Sequence, residues 1–309
     1  MSSVLCVVLN WRTEEMSRRA VESALVAMEG IAGAINVVDN DSQDGSFEAL
    51  CDAFAGHERV RVMQAGRNGG FGAGNNVGIR AGLPDGSAPD YVYILNSDAF
   101  PAPDAIRVLR DYLDTHPETG FAGSHIHGPD GEPHTTAFRF PSVLGELEGA
   151  ARTGPVTRLL RRWVVAPPLP RVTTRVDWLA GASVMMRRGV LDRIGLFDEA
   201  FFLYYEETDL CRRAALAGWP TVYVVESRVM HIGSVSTGMK DWQRVPDYWF
   251  RSRRHYFEKN HGRVYAKLAT LAHLAGIGIY GLRMLLGRRK RHWPPHFLRD
   301  LVKHSLKRA

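Results

Sequence analysis

Cysteine is scarce in this chain. Cys6, Cys51 and Cys211 are the whole set among 309 residues, with no CxxC pair and no metal-finger spacing. So small and odd a number argues against a disulfide framework and fits a reducing compartment. Cys6 lies in an apolar run and is expected in the core. A basic segment followed by a long apolar core is also missing from the first residues, MSSVLCVVLNW. No signal peptide is read there, and a cytoplasmic start is the expectation. Internal repeats and low-complexity tracts are absent. No run of about 20 uncharged apolar residues occurs, which is what a membrane span requires. The nearest approach, residues 264–286, is interrupted by Lys267, His273 and Arg283. With RRKRHW beside it, that segment reads as an amphipathic or interfacial helix, or as a helix packed on the rest of the chain.

What is present is the composition of a globular enzyme. Apolar residues make up 45% and charged residues 23%, enough for a substantial core under a polar surface. The net charge of +6 is concentrated late: residues 283–309 hold nine Lys and Arg against Asp300 alone. Such a run either attracts phosphate-rich surfaces or forms a solvated helix face.

Short apolar runs at 4–9, 34–38, 60–64 and 91–95 alternate with helical patterns at 14–28, 46–54 and 75–81. That alternation predicts an α/β fold with a mostly parallel sheet flanked by helices. Ligands of open α/β sheets bind past the carboxyl ends of the strands, so Asn10, Asp39 and Asp98 should face one crevice. Further on, 127–175 reads as a loop rich in Pro, Gly and Arg. Residues 178–186 read as a buried strand, 187–194 and 206–217 as helices, 221–225 as a last strand and 247–261 as another helix.

Five motifs carry chemistry. In VDNDSQDGS (38–46), Asp39 directly follows a strand and can accept from a ribose hydroxyl or a base N–H, while Asp41, Ser42 and Asp44 suit turns and caps. NGGFGAGNN (68–76) does not match GxGxxG. Its glycines allow close backbone approach to a ligand, and Asn75 and Asn76 suit either a helix cap or a nucleobase. In LNSDA (95–99), Asp98 offers a hard carboxylate oxygen suited to Mg2+ or Mn2+ shared with phosphate. FDEAFFLYYEETDLCRR (197–213) gathers Glu206, Glu207 and Asp209 at a helix start. A helix dipole accounts for some acids there. Three acids beside Tyr204, Tyr205 and Trp178 suggest a general base facing an aromatic sugar platform. In MHIGSVS (230–236), His231 is a possible metal ligand or a structural histidine.

In this order, VVLNW, VDNDSQDGS, NGGFGAGNN, LNSD, AGA at 180–182, FDEAFFLYYEETDLCRR and MHIG resemble family 2 glycosyltransferases, notably the bacterial rhamnosyltransferase-like and galactofuranosyltransferase-like branch. The resemblance spans residues 4 to about 236 and implies a GT-A fold. It implies a catalytic domain at 1–240, with a nucleotide-binding half (1–99) and an acceptor-binding half (100–240), and a basic helical extension at 241–309. The donor set is then Asn10, Asp39, Asn68, Gly69, Asn75, Asn96, Ser97 and Asp98, and the acceptor set Trp178, Gly181, Tyr204 and Tyr205. Asp98 and His231 stand where the family holds its metal, with Asn96 in place of the first acid of the usual DxD. Glu207 stands at the family's base, a Glu where Asp is commoner; Asp209 and Glu206 are the reserves. The implied reaction is an inverting transfer, aided by Mg2+ or Mn2+, from a nucleoside-diphosphate sugar to an acceptor hydroxyl. A dTDP-deoxysugar such as rhamnose is the first donor expected, with UDP- or GDP-sugars open. The acceptor is a glycan, a lipid-linked glycan or a small molecule. Peripheral contact with an anionic membrane through the basic C-terminus is expected, and nucleic acid is not.

Two other readings compete. A nucleotidyltransferase would want an early basic phosphate cradle, for which Arg12 and Arg67 are too few. A non-catalytic membrane- or nucleic-acid-binding protein would leave Asp98 and the acids at 206–209 without a use.

Overall fold

The computed structural model of the chain describes residues 2–233, 242–287 and 293–306. The SVS end of MHIGSVS, the expected 240/241 boundary and the basic residues 288–291, 307 and 308 lie outside the described residues.

The first apolar runs become strands, buried on both faces except for the half-buried edge strand at 60–64. β1 (Val4–Asn10), β2 (Gly33–Asp39), β3 (Val60–Gln64) and β4 (Tyr91–Asn96) pair in parallel in the order β3-β2-β1-β4. Helices α1 (Glu14–Ala27), α2 (Ser46–Ala53) and α3 (Phe71–Ala81) make the crossovers. The register sets Asn10 opposite Asp39 and Leu9 opposite Asn96, so three motifs end on one edge.

Beyond β4 the sheet becomes mixed. The elements are β5 (Ala99–Pro101), α4 (Ala105–Thr115), β6 (Phe121–His127), β7 (Ala137–Phe138), α5 (Val143–Ala151), α6 (Gly154–Leu159), β8 (Thr174–Val176), β9 (Trp178–Leu179), β10 (Ser183–Arg187), α7 (Arg188–Ile194), α8 (Glu206–Leu216) and β11 (Thr221–His231). β10 runs antiparallel between β4 and β6. β11 lies parallel to β6 and antiparallel to β5, pairing His231 with Ala99. That last pairing brings His231 beside Asp98, although 133 residues separate them. The chain then ends in α9 (Asp247–His261), α10 (Arg263–Leu286) and α11 (Phe297–Leu306).

Two cores sandwich the sheet. One joins it to α1, α2 and α4 through residues such as Val21, Leu50 and Leu109; the other joins it to α3, α7 and α8 through Ile79, Leu191 and Leu210. Phe201, Tyr256, Phe257 and Ala269 make a smaller core that seats α9 and α10.

Several sequence expectations change. The stretch 127–175 contains α5 and α6. The α5 sequence VLGELEGAA carries two glycines, each about 1 kcal/mol unfavourable in a helix. It is held by a Ser142 cap accepting from the Gly145 N–H, and by α10, whose Gly276 leaves no room for a Cβ against Leu147 O. Residues 178–186 are two strands in different sheets, divided at Ala180–Ala182, where Ala182 O accepts from Asn96 N at 3.0 Å. Helix α3 begins at Phe71, four residues before the expected start, and α4 was not foreseen.

Candidate active site

The strand ends and the start of α8 enclose a cavity of about 390 Å3. Asn68, Asn96, Ser97, Asp98, Gly181, Tyr204, Glu206, Glu207 and His231 all line it. The ordered motifs thus converge in space, although LNSD, the Glu206–Glu207 pair and His231 stand far apart in sequence.

Asp98 is 5% exposed and held on both oxygens. His231 Nε2 lies 3.0 Å from Oδ1, and the Gly233 N–H donates to Oδ2 at 3.0 Å. Burial raises the carboxyl's pKa, but the hydrogen bond and charge of His231, with the Gly233 N–H, outweigh it and lower it overall. Asn96 Nδ2 also sits 3.4 Å from His231 Nε2. An amide flip turns its oxygen to the same point. A carboxylate oxygen and an imidazole nitrogen therefore meet with the Asn96 amide beside them. Among the described residues no group of three His, Cys, Asp or Glu surrounds one metal position. Such a set fits a cation that keeps waters and shares phosphate oxygens, as Mg2+ and Mn2+ do.

Glu206 and Glu207 open α8. Tyr204 and Tyr205 before them have φ of 69° and 71°, in the left-handed region. That conformation costs about 1–2 kcal/mol per non-glycine residue. Its effect is to turn the chain sharply into the helix, so that both acids face the cavity. Burial raises the Glu207 pKa to about 7, against the backbone N–H groups of Glu207 and Gly181. Burial, and then the Glu207 charge, push Glu206 well above the carboxylate range. One oxygen of each, Oε2, is buried without a protein partner. Gly181 has no room for a side chain because the Phe71 ring would lie 2.9 Å from its Cβ.

Other candidates stand elsewhere. Asn10 and Asp39 are buried beneath the cavity and do not line it. Asp39 accepts from Asn10 Nδ2 at 2.7 Å and from the side chain and backbone N–H of Ser42, tying β1 to the turn after β2. Asn75 is fully buried in α3, donating to Phe71 O, because its helix lies flat on the sheet. Gly69 does not line the cavity either. Gly70 lines the cavity, but it and the α3 glycines Gly74 and Gly78 also make room for the protein itself. A Cβ on Gly70 would lie 1.8 Å from Phe202 O, and Gly74 and Gly78 admit Leu9 and Val7. Trp178 stacks on Phe138 at 4.2 Å and donates to Arg139 O, outside the cavity. Tyr205 packs on Tyr256. Asp209 is saturated by Arg213 and Lys259, each at 2.8 Å, and Asn260 at 3.1 Å, and points away.

Sequence reasoning missed Trp11, Asn40, Phe71 and Tyr248 in the lining. Trp11 and Asn40 directly follow strands β1 and β2, so the strand-edge rule would have found them. Tyr248 arrives from α9, stacking with Tyr204 at 6.3 Å, and no local signal marks it.

A family model described as glycosyltransferase like family 2 matches residues 2–255, and the chain belongs to that family. It is 33% identical over 217 residues to the N-acetylglucosaminyl-diphospho-decaprenol L-rhamnosyltransferase of Mycobacterium tuberculosis, covering 66% of this chain and 68% of that one. It is 25% identical over 200 residues to the rhamnosyltransferase WbbL of Escherichia coli, covering 63% and 72%. In fold it is similar to the Pyrobaculum calidifontis mannosyltransferase PcManGT, solved with GDP-Man and Mn2+. The TM-score is 0.59 at 15% identity, over 93% of this chain and 76% of that one. The chain is a glycosyltransferase with rhamnosyltransferase relatives and a GT-A-like α/β fold.

Proposed function

We propose that this family member transfers a deoxyhexose, rhamnose from dTDP-rhamnose before any UDP- or GDP-sugar, to an acceptor hydroxyl with inversion. The observation that carries the reading is the meeting of Glu207, with an unpartnered buried carboxylate oxygen, and the Asp98–His231 pair in one cavity. Glu207 takes the proton of the acceptor hydroxyl as its oxygen attacks the anomeric carbon. The glycosidic bond to the diphosphate breaks on the opposite face in the same step. No covalent enzyme intermediate is needed, and inversion follows. Asp98 and His231, with Asn96, would hold Mg2+ or Mn2+, which supplies positive charge for the departing diphosphate. Burial, and then the Glu207 charge, disfavour a negative charge on Glu206, which limits the charge the pair carries. Asn68 and Ser97 would bind the donor, and Asn10 and Asp39 would fix the loops beneath it. Tyr204 and Tyr248 would carry the acceptor.

The proposed division of labour is a donor half (1–99), an acceptor half (100–240) and a basic helical extension (241–309). The extension is not separate from the site, since it contributes Tyr248. A lipid-linked acceptor is favoured by the decaprenol substrate in the mycobacterial relative's name. A cytoplasmic enzyme touching the inner membrane face through its basic C-terminus suits such an acceptor. The test is a thermal-shift series with dTDP-, UDP- and GDP-sugars, with and without Mn2+, followed by NMR of the product's anomeric centre. A metal-dependent shift and an inverted product support the reading; retention of configuration sinks it.

A further inference from the structure

A second cavity, about 470 Å3, lies between α9, α10 and α11, apart from all the motifs above. Arg253, Arg254, Arg263, Lys267 and His304 line it, against one acid, Glu258. Arg253 is already paired with Glu146 at 2.8 Å, and Arg254 meets Glu258 at 3.9 Å. Among the described residues no carboxylate lies within ion-pair range of Arg263 or Lys267. The walls therefore present more positive charge than the protein itself neutralises.

Helix α10 gives this cavity a neighbour. Arg263, Ala266, Lys267 and Thr270 face the cavity, while Val264, Leu268 and Leu271, one step round the same helix, are exposed. The exposed line continues through Ala275 and Gly278 to Leu282 and Leu285, 85% exposed. Its spacing alternates four and three residues without a break, which keeps an apolar seam on one side of a helix. The opposite side is occupied: Ala269 and Gly276 are buried, Gly276 against α5. The helix is long and apolar enough to cross a membrane by length and composition. Packed on α5, however, it offers one face only.

Charge selects what covers that face. From Lys259 to Arg299 the chain contains no Asp or Glu, while Arg263, Lys267, Arg283 and the RRKR cluster all fall within it. A second copy would bring like charges together. A bilayer with anionic headgroups complements both the seam and its borders.

We infer that the α9–α11 face is a docking surface for anionic phospholipid, with the seam of α10 in the acyl boundary and a lipid phosphate held at Arg263 and Lys267. This deepens the membrane contact proposed above and rests on it, but assigns it to a built site rather than to the basic terminus. It is independent of the sugar-transfer chemistry.

The test is co-sedimentation of the full chain with phosphatidylcholine vesicles, with and without phosphatidylglycerol. Three variants accompany it: Arg263→Gln with Lys267→Gln; Leu268→Ser with Leu271→Ser; and Arg288, Arg289, Lys290 and Arg291 each→Gln. The wild type should bind only vesicles containing phosphatidylglycerol. The cavity variant should bind about 25-fold more weakly, at about fivefold for each basic contact. The seam variant should lose at least about tenfold. Binding unchanged in both of these but lost in the third variant overturns the site and leaves the basic-terminus reading standing. No vesicle binding by the wild type overturns both. Calorimetric binding of inorganic phosphate by a wild type that ignores vesicles assigns the cavity to free phosphate and overturns the lipid.

Discussion

Glu207 carries two opposed consequences of burial. Its pKa, raised to about 7 because burial disfavours the charged form, makes it a stronger base than a surface carboxylate. On the proposed mechanism the carboxylate is the active form. The rate at low acceptor concentration should therefore fall about tenfold per pH unit below pH 7, read from a kcat/KM profile. The sign for stability is the reverse. A folded pKa above the unfolded value of 4.5 means that folding stability declines as pH rises from about 4.5 to 7. Glu207→Gln should thus cost about 10²–10⁴ in kcat with donor affinity kept, yet melt higher than the wild type at pH 8, by about 2–4 °C per kcal/mol regained. An active Glu207→Gln enzyme would move the base to Glu206, since Asp209 is consumed by Arg213, Lys259 and Asn260. Asp98→Ala should erase the Mn2+-dependent part of the sugar-nucleotide thermal shift, while a shift that survives would remove Asp98 from the proposed metal site. At this scale the sequence was readable where a residue ends a strand. Asp98, Asn96 and Ser97 do line the cavity. Asp39, with an equally good signature, does not line it and instead ties Asn10 to Ser42.

Between elements, the deciding contacts join segments far apart in sequence. Glu146 of α5 meets Arg253 of α9 at 2.8 Å and His273 of α10 at 2.6 Å, all three with little exposure. Burial raises the Glu146 pKa, but Arg253 and His273 outweigh it and lower it to about 2. Its stabilisation is accordingly complete above the usual carboxylate range and lost as pH falls toward 2. Glu146→Ala leaves the Arg253 charge buried and unpaired, and should cost about 3–5 kcal/mol in urea denaturation. A change below 1 kcal/mol, about that of an exposed pair, would mean that water solvates the site. The glycine-rich loop teaches the same lesson at shorter range. Gly70 has φ of 87° and abuts the carbonyl of Phe202. Gly70→Ala should lower the melting temperature and displace the 202–207 segment, which carries the proposed base, so kcat should fall with stability. The spacing NGGFGAGNN marks a close approach, but only the fold says that the approaching group is the protein's own backbone.

For the whole molecule, the C-terminal helices complete the enzyme. Phe201 is buried with Phe257, Lys259 and Asn260 reach Asp209, and Tyr248 lines the cavity. A chain ending at residue 240 should therefore melt lower than the full chain and lose turnover, although it holds every motif of the family resemblance. Equal stability and activity would make 241–309 a true appendage.

The sequence alone determined what depends on local order and residue type. The apolar runs had to be strands, the helices between them had to be crossovers, and the polar residues after each strand had to share an edge. Hence the α/β class and the family were legible. Tertiary structure alone decided what depends on pairing across distance. It inserted β10 between β4 and β6, and it laid β11 against β5 so that His231 reaches Asp98. It also folded α5 out of a glycine-containing stretch by packing it on α10. Periodicity records which face of a segment seeks burial; it does not record which distant segment will supply that burial.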